Sequence, residues 1–373
     1  MDFAFTDEQT EMAALARKIL ADKVTPDLLR EVEAGPERFD GEVWRALADA
    51  DLLGVALPED VGGAGYGFVE QCLILEEVGR RVAPVPLLAS IVCAALPIAT
   101  FGSPPQKDAW VRPAASGEKV LTAALSESLN AHPTRPATTA SPAGAGYVLN
   151  GTKTAVPAGT MADLFVVPAA VDEQIGVFLV ERGAPGLSVR PQATTNRDTA
   201  AQLVLTDVRV PPSGVLGTVA GGASILRWIV ERATVGLCAL QLGVLEQALA
   251  DTAEYTKNRV QFERPIATFQ AVGHRCADSY IDVEAVRLTL WQAAWRLSED
   301  QPATTEVEVA KFWAAEAGHR VAHAAVHLHG GMGVANEHTI HRYFIWAKQN
   351  EFMFGGATDQ LLRIGTTLAT EPA

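Results

Sequence analysis

The chain is 373 residues long, 48% apolar and 20% charged, an ordinary globular composition with enough sequence to bury a sizeable core. Thirty Lys and Arg against 44 Asp and Glu leave a formal net charge of −14, which argues against a nucleic-acid partner or an anionic membrane surface. Cys72, Cys93, Cys238 and Cys276 lack metal-ligand spacing and read as reduced core thiols of a cytoplasmic protein, while no apolar run reads as a membrane span and the first residues lack the order of a signal peptide.

The first third is helical in pattern. Thr6 is placed to cap a helix whose first turn holds Asp7 and Glu8, beside the positive end of the helix dipole. Met12, Leu15, Ile19 and Leu20 follow at helical spacing, and a second helix is expected near Glu42–Ala50. The Gly-rich loop from Pro58 to Gly65 leads to a helix ending near Gly79, and an apolar helix follows Pro84 and Pro86. From about Val120 short β-rich runs appear at 120–125, 146–151, 164–169, 176–181 and 201–211, punctuated by turn residues. They predict a small antiparallel β domain, a barrel or sandwich. After Gly222 the helical period returns, with a long helix over Ala223–Asn258 and others over about Thr268–Leu297, Thr304–Leu328, Glu337–Gln349 and beyond Thr358. Phe269, Val272, Cys276, Tyr280, Val283, Val286 and Leu290 mark one expected buried face. The expected fold class is therefore α+β: an N-terminal helical domain (1–118), a central β domain (119–220) and a C-terminal antiparallel four-helix bundle (221–373).

Two local patterns point to chemistry. In Arg259-Val-Gln-Phe262-Glu-Arg-Pro265-Ile-Ala-Thr-Phe269-Gln270, the arginine offers a bidentate fork suited to phosphate, and Gln270 lies near a helix start whose free N–H groups attract anions. In His327-Leu-His329-Gly330-Gly331-Met-Gly333, adjacent glycines permit close backbone approach to a ligand. A plain helix cap and a surface ion pair account for the same residues taken singly. His319, Arg320, His323 and His327 recur at helical spacing as an interface, a cofactor edge or a solvated face.

Together, in this order, these stretches resemble the acyl-CoA dehydrogenase family over essentially the whole chain. The 58–65 loop and Glu76-Glu77-Val-Gly79-Arg80 look like its N-terminal landmarks, Arg259–Gln270 like its R-x-x-F-G-x-x-I…Q segment, and His327–Gly333 like its Q-x-x-G-G-x-G turn with His327 in place of glutamine. The resemblance implies FAD-dependent α,β-dehydrogenation of an acyl-CoA thioester, in which a carboxylate removes the α-proton and flavin takes the β-hydride. It implies FAD contacts from Arg259, Phe262, Gln270, His327, Gly330 and Gly331.

The same resemblance exposes what is missing. The family's base lies in a Y-E-G-T-x-Q turn, which here reads Phe354-Gly355-Gly356-Ala357-Thr358-Asp359, so Gly355 stands in the place of the base. Members that carry the glutamate on the preceding long helix match Ala233 on an ungapped count from Arg259, with Glu231 two residues away. The flavin-facing T-E-P-x-A-G-S-D and W-I-T-N-G segments correspond to Ser126-Glu127-Ser128-Leu129-Asn130 and Ala155-Val156-Pro157-Ala158-Gly159. Glu263 replaces the glycine after Phe262. Residues that a subunit donates to a neighbour's FAD are kept, and those serving its own flavin ring are eroded. This pattern is similar to the base-lacking subunit of actinobacterial α2β2 steroid side-chain acyl-CoA dehydrogenases, and implies a homologous partner carrying the catalytic Glu. The alternatives are a self-sufficient enzyme with Glu231 as base, a flavin-free acyl-CoA-binding scaffold, and a flavin monooxygenase.

Overall fold

A computed structural model describes residues 4–35, 37–130 and 132–370. Two compact units emerge, one of residues up to Pro26, Cys72–Ala83 and Thr234 onward, the other of Asp27–Gln71 and Pro84–Ala233. The helices are α1 (Asp7–Lys23), α2 (Pro26–Ala34), α3 (Gly41–Asp49), α4 (Phe68–Arg80), α5 (Leu96–Phe101), α6 (Pro104–Gln106), α7 (Arg112–Ala115), α8 (Gly222–Asn258), α9 (Gln270–Ser298), α10 (Thr304–His329), α11 (Ile340–Phe352) and α12 (Ala357–Thr370).

In the first unit, Thr6 caps α1, as the sequence suggests, and the structure adds a capping box with Gln9. α10 packs against α9, α11 and α12. α4 and α8 cross at backbone contact: a Cβ on Gly79 would lie 1.9 Å from the Leu240 carbonyl oxygen, and one on Gly243 1.8 Å from that of Glu76. Around this crossing Arg80 pairs with Glu76 (2.6 Å), Glu77 (3.2 Å) and Glu246, while Glu246 also pairs with Arg287. Burial, then the Glu246 charge, pushes the Glu76 carboxyl up to about 8. The expected buried face of α9 needs correction. Val283, Val286 and Leu290 are buried, but Tyr280 is 60% exposed, and only from Ser279 onward does the helix bury side chains.

The second unit holds the remaining short helices and a sheet of β1 (Leu121–Ala123), β2 (Thr139–Ala143), β3 (Gly146–Val156), β4 (Leu164–Val171), β5 (Gln174–Glu181), β6 (Leu187–Pro191) and β7 (Ala201–Val210). The strand order is β1-β4-β2-β3-β7-β6, with β5 on β4. The expected all-antiparallel pairing is corrected, because β1 and β2 both pair with β4 in parallel. β2 and β6 had no clear signal: β2 reads Thr-Ala-Ser-Pro-Ala and β6 is short and half exposed. Alternation along β7 buries Ala201, Leu203 and Leu205, then slips to Val208 and Val210 where Asp207 takes φ 52°. The apolar run after Pro86 is π-helical over Leu88–Ala95 before α5 begins. α8 corrects another expectation: by length and composition it is apolar enough to cross a membrane, but 78% of its apolar window is buried within the chain, as a core helix is.

Candidate functional site

α8 runs into the first candidate stretch. The Arg259 N–H donates to the Tyr255 carbonyl (2.8 Å) and its own carbonyl accepts from Ile266 N–H (2.9 Å), closing a small hairpin. Val260 pairs with Pro265 and Gln261 with Arg264, so Phe262 and Glu263 form a two-residue turn with φ 53° and 63°. Both positions are left-handed, where Asn-Gly is favoured. This gives the physical reason for glycine after the phenylalanine, and Glu263 bears about 1 kcal/mol of strain there. Glu263 forms no ion pair with Arg264 among the described residues; that guanidinium instead lies 4.2 Å over the Phe269 ring. Arg259 is exposed and its side chain has no partner among the described residues. Phe262 is 85% exposed. α9 starts at Gln270 with no side-chain cap, and the Gln270 amide lies 3.3 Å from His274 Nε2.

α10 ends at Gly330, whose φ of 60° and ψ of −139° suit glycine alone. A Cβ added to Gly330 or Gly331 would meet nothing within 4 Å, so their backbone is open to a ligand. Gly333 differs, being pressed against the Val326 carbonyl. His327 is exposed, but His329 is only 3% exposed. The His329 ring stacks on Tyr255 at 4.2 Å.

The Gly355 turn is closed. Phe354 and Gly355 take φ 62° and 99°. The Gln360 amide donates to the carbonyls of Phe354 (3.1 Å) and Gly355 (3.2 Å), and the Asp359 carboxylate accepts from Gly356 N–H (2.9 Å). A Cβ at 355 would lie 3.0 Å from Gln360 Nε2 and 3.3 Å from Arg363 Nη2. Behind it, fully buried Lys311 donates to the carbonyls of Asn350 (3.1 Å) and Glu351 (3.0 Å), its ammonium lowered to about 8 by burial.

In the β sheet the polar groups are also committed. Glu127 accepts from Thr138 N–H (2.8 Å), the Thr138 hydroxyl (2.6 Å) and Lys153 Nζ (2.8 Å), and its other oxygen from Ala137 N–H. Burial raises its pKa, but the Lys153 charge and these bonds prevail and hold it at about 2. Ala155 and Ala158 take φ 47° and 53°. The Ala155 N–H donates to Gln192 (2.7 Å) and the Thr122 hydroxyl to the Pro157 carbonyl (2.6 Å). Pro157 has no N–H to offer. On α8, which is helical without interruption from Gly222 to Asn258, Ala233 is buried and Glu231 half-buried with a partner of its own.

Three family models cover the chain: the acyl-CoA dehydrogenase N-terminal domain at residues 6–118, the middle domain at 123–208 and the C-terminal domain at 221–368. The chain belongs to the acyl-CoA dehydrogenase family. It is 46% identical to acyl-CoA dehydrogenase FadE27 of Mycobacterium tuberculosis, with all of both chains covered. It matches a chain of the ChsE4-ChsE5 complex from the same organism with a TM-score of 0.96 and 47% identity, again over all of both chains. A chain from a variant of the Tcur3481-Tcur3483 steroid ACAD matches with a TM-score of 0.92 and 45% identity over 98% of each.

As an acyl-CoA dehydrogenase, the chain is a member of an oxidoreductase family whose cofactor is FAD. Open glycine backbone, an exposed arginine and a helix start that have no side-chain partner or cap among the described residues fit the anionic half of that cofactor. At the turn around Pro157 the neighbouring polar groups already have partners within the chain. Tyr255 and His338 were not singled out in the sequence, and His329 entered only as part of the glycine stretch. The signals were the four-residue step from Tyr255 to Arg259 and the adjacency of His329 to Gly330.

Proposed function

We propose that this chain is the non-catalytic subunit of a heteromeric acyl-CoA dehydrogenase, completing FAD sites whose base and flavin wall lie on a homologous partner. The Gly355 turn carries this reading. At φ 99° the position disfavours any side chain, and Gln360, Asp359 and Arg363 occupy the space a Cβ would face. Loss of the base is therefore accompanied by a turn rebuilt around glycine.

FAD, when bound, supplies the hydride acceptor for α,β-dehydrogenation. Arg259 offers a bidentate cation to the diphosphate, Gly330 and Gly331 bring backbone N–H groups close, and Phe262, Gln270 and His327 flank them. The partner supplies the carboxylate that removes the α-proton. The three-domain division at 118 and 220 frames these roles. Likeness to heteromeric complexes supports an α2β2 assembly, and likeness to a steroid ACAD supports the CoA thioester of a steroid side chain as substrate. Four unpaired cysteines suit the cytoplasm.

The test is the visible flavin spectrum of the chain purified alone and after co-expression with its homologous subunit. Little flavin alone and about one FAD per pair together is the expected result. Full flavin on the isolated chain overturns the reading.

A further inference from the structure

The arginine hairpin and the Gly-Gly turn lie about 70 positions apart in sequence, yet a single ring stack links them. Tyr255 sits one helical turn before Arg259 on α8, and the carbonyl of Tyr255 accepts the Arg259 N–H at 2.8 Å. Its ring lies on His329, the residue before Gly330, with centroids 4.2 Å apart and planes 23° apart. His338 closes the group edge-on, 4.9 Å from His329 and 6.1 Å from Tyr255. The Tyr255 hydroxyl approaches the His329 carbonyl at 3.5 Å, at the point where the chain enters the glycine turn.

The His329 ring is fixed in orientation as well as in place. Its Nδ1 lies 2.7 Å from the Ala325 carbonyl, which makes Nδ1 the protonated nitrogen. Nε2 is buried and has no hydrogen-bond partner among the described residues. That environment favours the neutral ring, because a second proton on Nε2 would find no acceptor among the described residues. The titratable groups facing the stack are Asp251 on α8 and His338 ahead of α11, with Arg81 acting on Asp251.

We propose that the Tyr255–His329–His338 stack fixes the spacing between Arg259 and the Gly330–Gly331 turn, so that Tyr255 and His329 are positioning residues for the diphosphate those groups hold. The proposal rests on the donated-site reading above. Burial holds the His329 imidazole below its ordinary value of about 6.5. As pH falls through that range, an unstacked His329 takes up a proton that the stacked ring refuses, so the stack weakens in acid.

The experiment measures FAD retained by the full chain co-purified with its homologous subunit, after gel filtration at pH 7.5 and pH 5.5, with circular dichroism as a check on folding. Tyr255→Ala and His329→Ala should each lower retention at pH 7.5 by up to about tenfold, the scale of one aromatic pair. Tyr255→Phe keeps the ring and should retain FAD like the wild type. The wild type should release FAD faster at pH 5.5, and His329→Phe, which stacks but does not titrate, should lose that acid sensitivity. Normal retention in both alanine variants, with retention lost in Arg259→Ala, overturns the stack and leaves the donated site standing. Normal retention in Arg259→Ala itself overturns the donated site. Should the alanine variants fail to fold, acid release that persists in His329→Phe overturns the proposal.

Discussion

The two ends of the candidate chemistry differ in what their polar groups are doing. Around Arg259 and Gly330 the guanidinium is unpartnered among the described residues, the glycine backbone is open and α9 begins without a cap. Around Pro157 and Gly355 the neighbouring groups are committed: Gln192 takes the Ala155 N–H, Thr122 the Pro157 carbonyl, and Gln360 the Gly355 carbonyl. A buried polar group with a good internal partner gains little by exchanging it for a ligand. The polar groups around Arg259 and Gly330 are open, whereas the Pro157 turn and the Gly355 turn are each closed on themselves. On the proposed reading, that difference is what would separate a donated site from an eroded one, more sharply than a count of missing motif residues does.

The largest expected effect tests the closed side. Lys153 is fully buried against Glu127, so Lys153→Met leaves a carboxylate buried without its cation. Breaking such a pair from one side costs about 3–5 kcal/mol, which thermal or urea unfolding would register. Loss well below 1 kcal/mol would mean that Glu127 is not structurally committed. The pair also has a pH signature. Glu127 is held at about 2, below its ordinary 4.5, so its contribution is complete above 4.5 and disappears as pH falls toward 2. Glu127→Gln should remove that part of the acid transition.

Next in size, Arg259→Ala should weaken FAD retention in the complex by roughly 10- to 100-fold, the range expected for a lost hydrogen bond to a charged group. Retention measured by absorbance after dilution checks it, and wild-type flavin content would break the open side of the comparison. A smaller, opposite change is expected from Glu263→Gly. At φ 63° glycine relieves about 1 kcal/mol of backbone strain and removes a negative charge from the hairpin. Stability should rise slightly and FAD retention should not fall. A clear loss of retention would give the Glu263 carboxylate a binding role of its own.

Much of this was legible in the sequence because periodicity reports burial. The long helices, the cap at Thr6 and five of the strands follow from spacing, residue type and turn residues. β2 and β6 were not legible, since neither has a clean alternation of apolar residues. The parallel pairing of β1 with β4 is a non-local property that no local pattern encodes. α9 misled because apolar spacing identifies a face without saying what covers it, and Tyr280 is exposed within the chain. At the site, Arg259 and the glycines stood out by type. The Tyr255–His329 stack did not, because its members approach only when α8 and α10 pack.

The smallest expected effect is also the most discriminating. Glu231 lies two residues from Ala233, about 200° round the helix. α8 is helical without a break from there to Asn258, so no local bulge brings Glu231 into the place of Ala233. The Glu231 side chain also has an interaction of its own. Glu231→Gln preserves its shape and removes only the charge. In the complex with the homologous subunit it should leave acyl-CoA turnover within about twofold of wild type, whereas removal of a true general base costs typically 10²-fold or more. A loss of that size with flavin still bound would move the base onto this chain and make it a self-sufficient dehydrogenase. The closed Gly355 turn would then mark a relocated base, with proton abstraction transferred from the last turn to the long helix.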